Sequence, residues 1–294
     1  MEPRRSGPFP YSPITERPRL TWPDGARVAL WVIPNIEVFS LEEPVPIGAG
    51  GSGRAPDIPQ WSVRDYGARV GVWRLMDALT EVGIRGTVAL NSEVCDVYPQ
   101  IIDAALRLRW ELMGHNESNT RRLNEIPAED ERRVIHNVAV RIEKATGTRP
   151  GGWLAAGLQE TWNTLDHLVA ECYRYVADWV NDDQPYVMTV GGKPLVSVPY
   201  SYEINDKPAF EAQHRTPEEF DTMIRRQFDV LYREGASSGR VMAICLHPYI
   251  IGVPHRIESL RSALAYICGH QGVWRATGAE ITDHYLAWAG TAGV

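Results

Sequence analysis

ARVALWVIPNIEVF, residues 26–39, is a run of β-forming residues almost free of polar side chains until Asn35 and Glu37. A strand with one wet face alternates apolar and polar residues. An unbroken apolar run reads instead as a strand buried on both faces, the habit of parallel sheets covered by helices. RVMAICLHPY (240–249) has the same character and ends on His247. Between them RGTVALN (85–91), ELMGH (111–115), GGWLAA (151–156), RYVADW (174–179) and PLVSVPY (194–200) read as further strands. Helical periodicity fills the intervals at 63–83, 97–110, 127–147, 161–173, 216–235 and 255–269, and 273–288 reads as a last strand and helix. Thr216 is placed to cap the helix that opens with Pro217. Strand and helix alternate roughly seven times. The prediction is an α/β fold, most simply one parallel barrel. Residues 1–24 read as an extended arm and 25–294 as a single barrel domain, with a Gly- and Pro-dense irregular loop at 41–61.

The 294 residues carry a formal charge of −7, which argues against a nucleic-acid partner or an anionic membrane surface. The apolar runs are strand-length, too short for a membrane span. MEPRRSGPFPYSP lacks the apolar core of a signal peptide, so the expected setting is cytoplasmic. Cys95, Cys172, Cys245 and Cys268 have no paired spacing and read as buried free thiols. Ten tryptophans and twelve tyrosines would suit a pocket or an interface between copies of the chain.

In parallel barrels chemistry gathers at the carboxyl ends of the strands. The polar residues there are Asn35, Glu37, Asn91, His115 to Asn119, Asp178 with Trp179, and His247, with Arg149 just before a strand. Each has a bland alternative. His115 and Asn119 could belong to a capped turn, His247 could be a satisfied core histidine, and Asp178 a helix cap. Glu37 could form a structural pair with Arg64 or Arg69, and Arg149 could lie on the surface. Asp182 and Asp183, before a proline, read as a turn. Ser118 lacks a nucleophile elbow, and no glycine fingerprint for a dinucleotide follows a strand.

Taken in order, YGARVGVWRLMDAL, ELMGHNESN, TRPGGW, DWVNDDQPY and LHPYIIGVPHRI resemble the NodB-type polysaccharide deacetylase superfamily, most closely the branch with metal-independent allantoinase and cyclic imide hydrolases. The resemblance covers about residues 20 to 288 and implies a distorted (β/α)7 barrel. It implies catalytic roles for Glu37, Arg149, Asp178 and His247: His247 as general acid, Asp178 as its support, Arg149 as the partner of the base. It places Glu37, His115 and Asn119 at the metal-ligand positions and Asn35 at the base position. Asn119 stands where the family has a second histidine, and an amide oxygen is a poor ligand for zinc. Asn35 cannot accept a proton. Two routes remain for the water: ionisation on a weakly held divalent metal, zinc or another, or proton removal by Glu37 with no cofactor. Asn35, Trp153, Trp179 and Tyr249 are candidate pocket walls, with Arg64, Asp65 and Tyr66 at the mouth.

The function implied is hydrolysis of a non-peptide amide C–N bond in a small molecule, a cyclic imide or ureide. The alternatives are a metal-dependent N-deacetylase of an N-acetyl sugar or polysaccharide, and a non-enzymatic binding barrel. No nucleic acid or membrane partner is expected. Related enzymes imply a homotetramer.

Overall fold

The computed structural model describes residues 7–45 and 52–292. Positions 46–51 of the Gly- and Pro-dense loop lie outside them. The strands are β1 (Val28–Ile36), β2 (Thr87–Leu90), β3 (Glu111–Gly114), β4 (Gly152–Trp153), β5 (Tyr175–Val176), β6 (Tyr186–Val190), β7 (Lys193–Ser197), β8 (Arg240–Leu246) and β9 (Val273–Arg275). They form one curled sheet in the order β6-β7-β5-β4-β3-β2-β1-β8, with β9 pairing the start of β1. Seven of them, β8-β1-β2-β3-β4-β5-β7, run parallel side by side. This is a distorted barrel with helices around it, as the apolar runs predict.

The reason lies in β1. Val28, Leu30 and Val32 pack in the layer between sheet and helices, while Ala29, Trp31 and Ile33 pack inside the barrel. Both faces are dry, so both sets are apolar and the period of two is invisible in hydropathy.

The barrel does not close by strand pairing between β8 and β7. Connecting segments take the place of a strand. The Val241 N–H donates to Asp183 O at 2.8 Å, and the Cys245 N–H donates to Ile204 O at 3.0 Å, with a short parallel bridge between Asn205 and Cys245. That bridge carries Asp206 to the end of β8. The N-terminal arm seals the opposite end: Leu20 and Trp22 are buried, and Trp22 Nε1 donates to Arg240 O at 2.9 Å. Arg17 grips Asp182 through two hydrogen bonds of 2.7 and 2.6 Å. Asp182 also accepts from the backbone N–H groups of Asp183 and Gln184, the turn expected of that acidic pair.

Strand β6 and the short helix at 208–212 are not among the predicted elements. β6 and β7 form a hairpin around Gly191 and Gly192, whose φ values of 55° and 77° are those of a tight primed turn. A short helix, Pro208–Ala212, follows the segment that covers β8. The helix expected over 63–83 is three pieces: Ile58–Tyr66, a wider π turn Gly67–Gly71, and Val72–Glu81. The cysteines are all free, but Cys268 is only half-buried and Cys172 is exposed, in a left-handed turn with φ 65°. Among the described residues no helix is long and apolar enough to cross a membrane.

Gly71 bears on the site. A Cβ there would lie 2.0 Å from the carbonyl oxygen of Pro248, the residue after His247. Only a glycine lets the helix lie flat on that turn. Gly71→Ala is therefore expected to destabilise the fold by about 1–3 kcal/mol through overpacking. Urea unfolding would read this as a lower midpoint at unchanged slope.

Candidate active site

The carboxyl ends of β1, β2, β3 and β8 deliver Glu37, Asn91, His115 and His247 to one end of the barrel. Glu37, His115, Asn119, Asn35 and His247 line a common cavity of about 610 Å³. The side chains of Glu37, His115 and His247 are each 5 % exposed or less. Glu37 Oε1 stands 3.6 Å from Nε2 of His115 and 3.6 Å from Nε2 of His247.

Each histidine is held from behind. His247 Nδ1 lies 2.7 Å from Asp206 Oδ1, and its backbone N–H donates to Asp206 Oδ2 at 2.7 Å. A carboxylate behind Nδ1 fixes the proton there and turns Nε2 toward the cavity. Burial alone would push the imidazolium down, but Asp206 and Glu37 outweigh it and lift His247 to about 9. It is therefore charged at neutral pH. His115 Nδ1 lies 2.6 Å from the carbonyl oxygen of Leu154. A carbonyl can only accept, so Nδ1 carries the proton. When the ring is neutral, Nε2 presents a lone pair, and it has no hydrogen-bond partner.

Glu37 feels opposing forces. Burial raises its pKa, but the attraction of His247 and His115, each 3.6 Å from Oε1, prevails and holds the carboxyl well below the usual range. Its Oε2 is buried without a partner.

Asn119 has a fixed orientation. The Val38 N–H donates to Asn91 Oδ1 at 2.9 Å, which turns the Asn91 amide N–H toward Asn119 Oδ1, also at 2.9 Å. The Asn119 Nδ2 then donates to Glu37 Oε1. A backbone donor thus sets both amides, and Asn119 offers the cavity hydrogens rather than a lone pair. The predicted ligand trio Glu37, His115 and Asn119 does not fit a divalent ion. Among the described residues no three His, Cys, Asp or Glu side chains form a metal cage. Asn119 is a donor to Glu37, which corrects its expected role.

Other expectations also change. Asn35 lines the cavity, but its amide donates to Ile33 O at 3.2 Å and Leu246 O at 3.3 Å, tying β1 to β8 beside His247. Arg149 is not in the site. It precedes β4 and so lies at the amino end of the sheet, where it pairs with Glu171 at 2.7 Å and Glu143 at 3.1 Å. Asp178 does not support His247; Asp206 does. Trp153 is no pocket wall: it is fully buried and packs edge-on against Tyr173. Trp179 lines a neighbouring cavity and packs against Phe9 at 5.1 Å. Tyr66 accepts from Arg74 at 2.5 Å and does not line the cavity; Asp65 binds Arg69 and Tyr98. Arg64 does line it, with its guanidinium 5.0 Å from the Phe39 ring and 5.5 Å from the Tyr249 ring. Tyr249 supports the wall beside His247 at 5.6 Å, its hydroxyl 3.0 Å from Lys207 Nζ.

Asp206 was missed. It lies in SYEINDKPAF, nine residues after the end of β7, beyond a search confined to the residues next to each strand. Its one signal is that this loop leaves the carboxyl end of a barrel strand.

No family model matches the chain. A Schizosaccharomyces pombe protein named "Putative polysaccharide deacetylase" is 29% identical over 245 residues, 76% of this chain and 75% of that one. The structure titled "probable Polysaccharide deacetylase from Pseudomonas aeruginosa PAO1" superposes with a TM-score of 0.84 at 26% identity, covering 92% of this chain and 95% of that one. Puue allantoinase also gives 0.84 at 26% identity, covering 95% and 98%. The chain is thus similar in sequence and fold to proteins named as polysaccharide deacetylases, with an allantoinase among its structural neighbours.

Proposed function

We propose that the protein hydrolyses a non-peptide amide C–N bond in a small ring, a cyclic imide or ureide. The observation that carries this reading is the pair of buried acceptors, Glu37 Oε2 and His115 Nε2, that have no partner in a cavity also reached by a charged His247. A water molecule has two hydrogens to give to two such acceptors, and its lone pair is then free to attack a carbonyl carbon.

In this mechanism His115 Nε2 takes the proton. Glu37 is held too far down to be a strong base; it orients the water and stabilises the imidazolium formed on His115. The C–O bond forms, the carbonyl π pair moves to oxygen, and a tetrahedral intermediate results. As it collapses, the C–N bond breaks and His247 gives its Nε2 proton to the leaving nitrogen. A ring so opened yields a carboxylic acid and an amide or ureido nitrogen on one molecule. A cavity of about 610 Å³ suits a substrate of that size. The name of the allantoinase neighbour supports a ring substrate.

The second reading is N-deacetylation of an N-acetyl sugar, which the names of the S. pombe and P. aeruginosa proteins favour. Incubating the protein with succinimide, hydantoin, allantoin and a chito-oligomer, with and without chelator, separates the two. Ring opening without acetate release supports the first, and acetate release supports the second. No product from any of them would count against hydrolysis altogether.

The acid also sets a pH limit. His247 is raised to about 9, so it stays protonated below that value and loses its proton above it. The rate is expected to be flat toward the neutral side of about 9 and to fall as pH rises through it, read as kcat/KM against pH.

A further inference from the structure

Asp178 follows β5, and the proposed mechanism leaves it unused. Its Oδ1 accepts a hydrogen bond from the Ala155 N–H at 2.8 Å. That N–H belongs to the same peptide unit as the Leu154 carbonyl, which accepts from His115 Nδ1 at 2.6 Å. The order is therefore carboxylate, peptide N–H, peptide C=O, imidazole N–H. Nitrogen and oxygen of a planar amide are conjugated. Negative charge at the N–H end sends electron density to the oxygen and strengthens it as an acceptor, as in any chain of hydrogen bonds that polarise one another.

We infer that Asp178 is a positioning residue for His115, acting through the Leu154–Ala155 peptide. This rests on the reading of His115 as the proton acceptor. Asp178 keeps the His115 proton on Nδ1 and thus the Nε2 lone pair in the cavity. It also stabilises the imidazolium that forms when water gives up a proton. His247 has its carboxylate in direct contact, and His115 has one at the distance of a peptide.

Glu160 completes the arrangement. It lines the neighbouring cavity together with Asp178. Burial and the charge of Asp178 push Glu160 up to about 10, so it keeps its proton. Burial pushes Asp178 up as well, opposed by the neighbouring Glu160 and by the Ala155 N–H. Of the two, Asp178 accepts the Ala155 N–H, a contact that favours its charged form.

The test uses the full chain labelled with ¹⁵N-histidine, as wild type, Asp178→Ala and Asp178→Asn. In Asp178→Ala the His115 Nδ1–H signal is expected to move upfield, with a rise in the Nε2–H tautomer. The rate on the best substrate of the amide panel is expected to fall on the order of 10- to 100-fold in kcat at unchanged KM. Asp178→Asn keeps an acceptor for the Ala155 N–H but no charge, and its shift and loss should be intermediate. Should the alanine variant fail to fold, the asparagine variant decides. A His115 spectrum matching wild type in a folded variant overturns the relay. The spectrum needs no substrate, so a panel without turnover would sink the hydrolase reading and leave the relay still decided.

Discussion

His247→Ala is expected to lower kcat by about 10²- to 10⁴-fold, the usual contribution of a positioned general acid. The loss should fall on kcat rather than KM, because the proton moves as the C–N bond breaks. The variant has a second effect that must be separated from the first. Asp206 is fully buried, and its carboxylate binds both the ring and the backbone N–H of residue 247. Removing the ring leaves a buried charge half-satisfied, at a cost of about 3–5 kcal/mol. His247→Asn can return an amide N–H to Asp206 while offering no acid. It should melt closer to wild type than the alanine variant and be as inactive. Steady-state kinetics with thermal unfolding on both variants would check this. An active asparagine variant would remove His247 from the chemistry.

Glu37→Gln is expected to cost about 10²- to 10³-fold in kcat, comparable to losing one preorganised electrostatic contact in an active site. An amide of nearly the same shape keeps the packing and loses the charge that the two histidines face. Because Glu37 helps raise His247, the alkaline fall in rate should also move below about 9. The stability effect has a definite sign. Burial opposes the charged form of Glu37, yet its folded value is depressed by the histidines. Its contribution is present above the unfolded carboxylate value of about 4.3 and is lost as pH falls below it. The wild type should thus lose its advantage over Glu37→Gln on acidification, read by denaturant unfolding at several pH values. Unchanged kinetics in Glu37→Gln would contradict the role given to the carboxylate.

The barrel was legible because its strands are buried on both faces, and 26–39 and 240–249 could hardly be anything else. Glu37, His115 and His247 were legible for the same reason: each is the first or second residue past an apolar run. Arg149 failed on that very rule, since it stands before its strand and not after it. Asp178 was placed at the correct end of its strand but given the wrong histidine. No one-dimensional pattern shows that the peptide of residues 154 and 155 lies between it and His115. Asp206 was hidden because the barrel closes through a loop, and the residue that a loop carries to a neighbouring strand depends on tertiary packing. Asn119 shows a further limit. Its identity was in the sequence, but its amide orientation is set by Asn91 and the Val38 N–H, a contact between three strand ends. Trp153 was an aromatic at a strand end that points into the core, which a two-residue strand does not reveal.

The hydrolase reading depends on His247 remaining a proton donor at neutral pH between Asp206 and Glu37. A histidine-resolved NMR titration of the wild type measures that directly. The predicted midpoint for His247 is about 9. A midpoint at or below the ordinary histidine value of about 6.5 would contradict it.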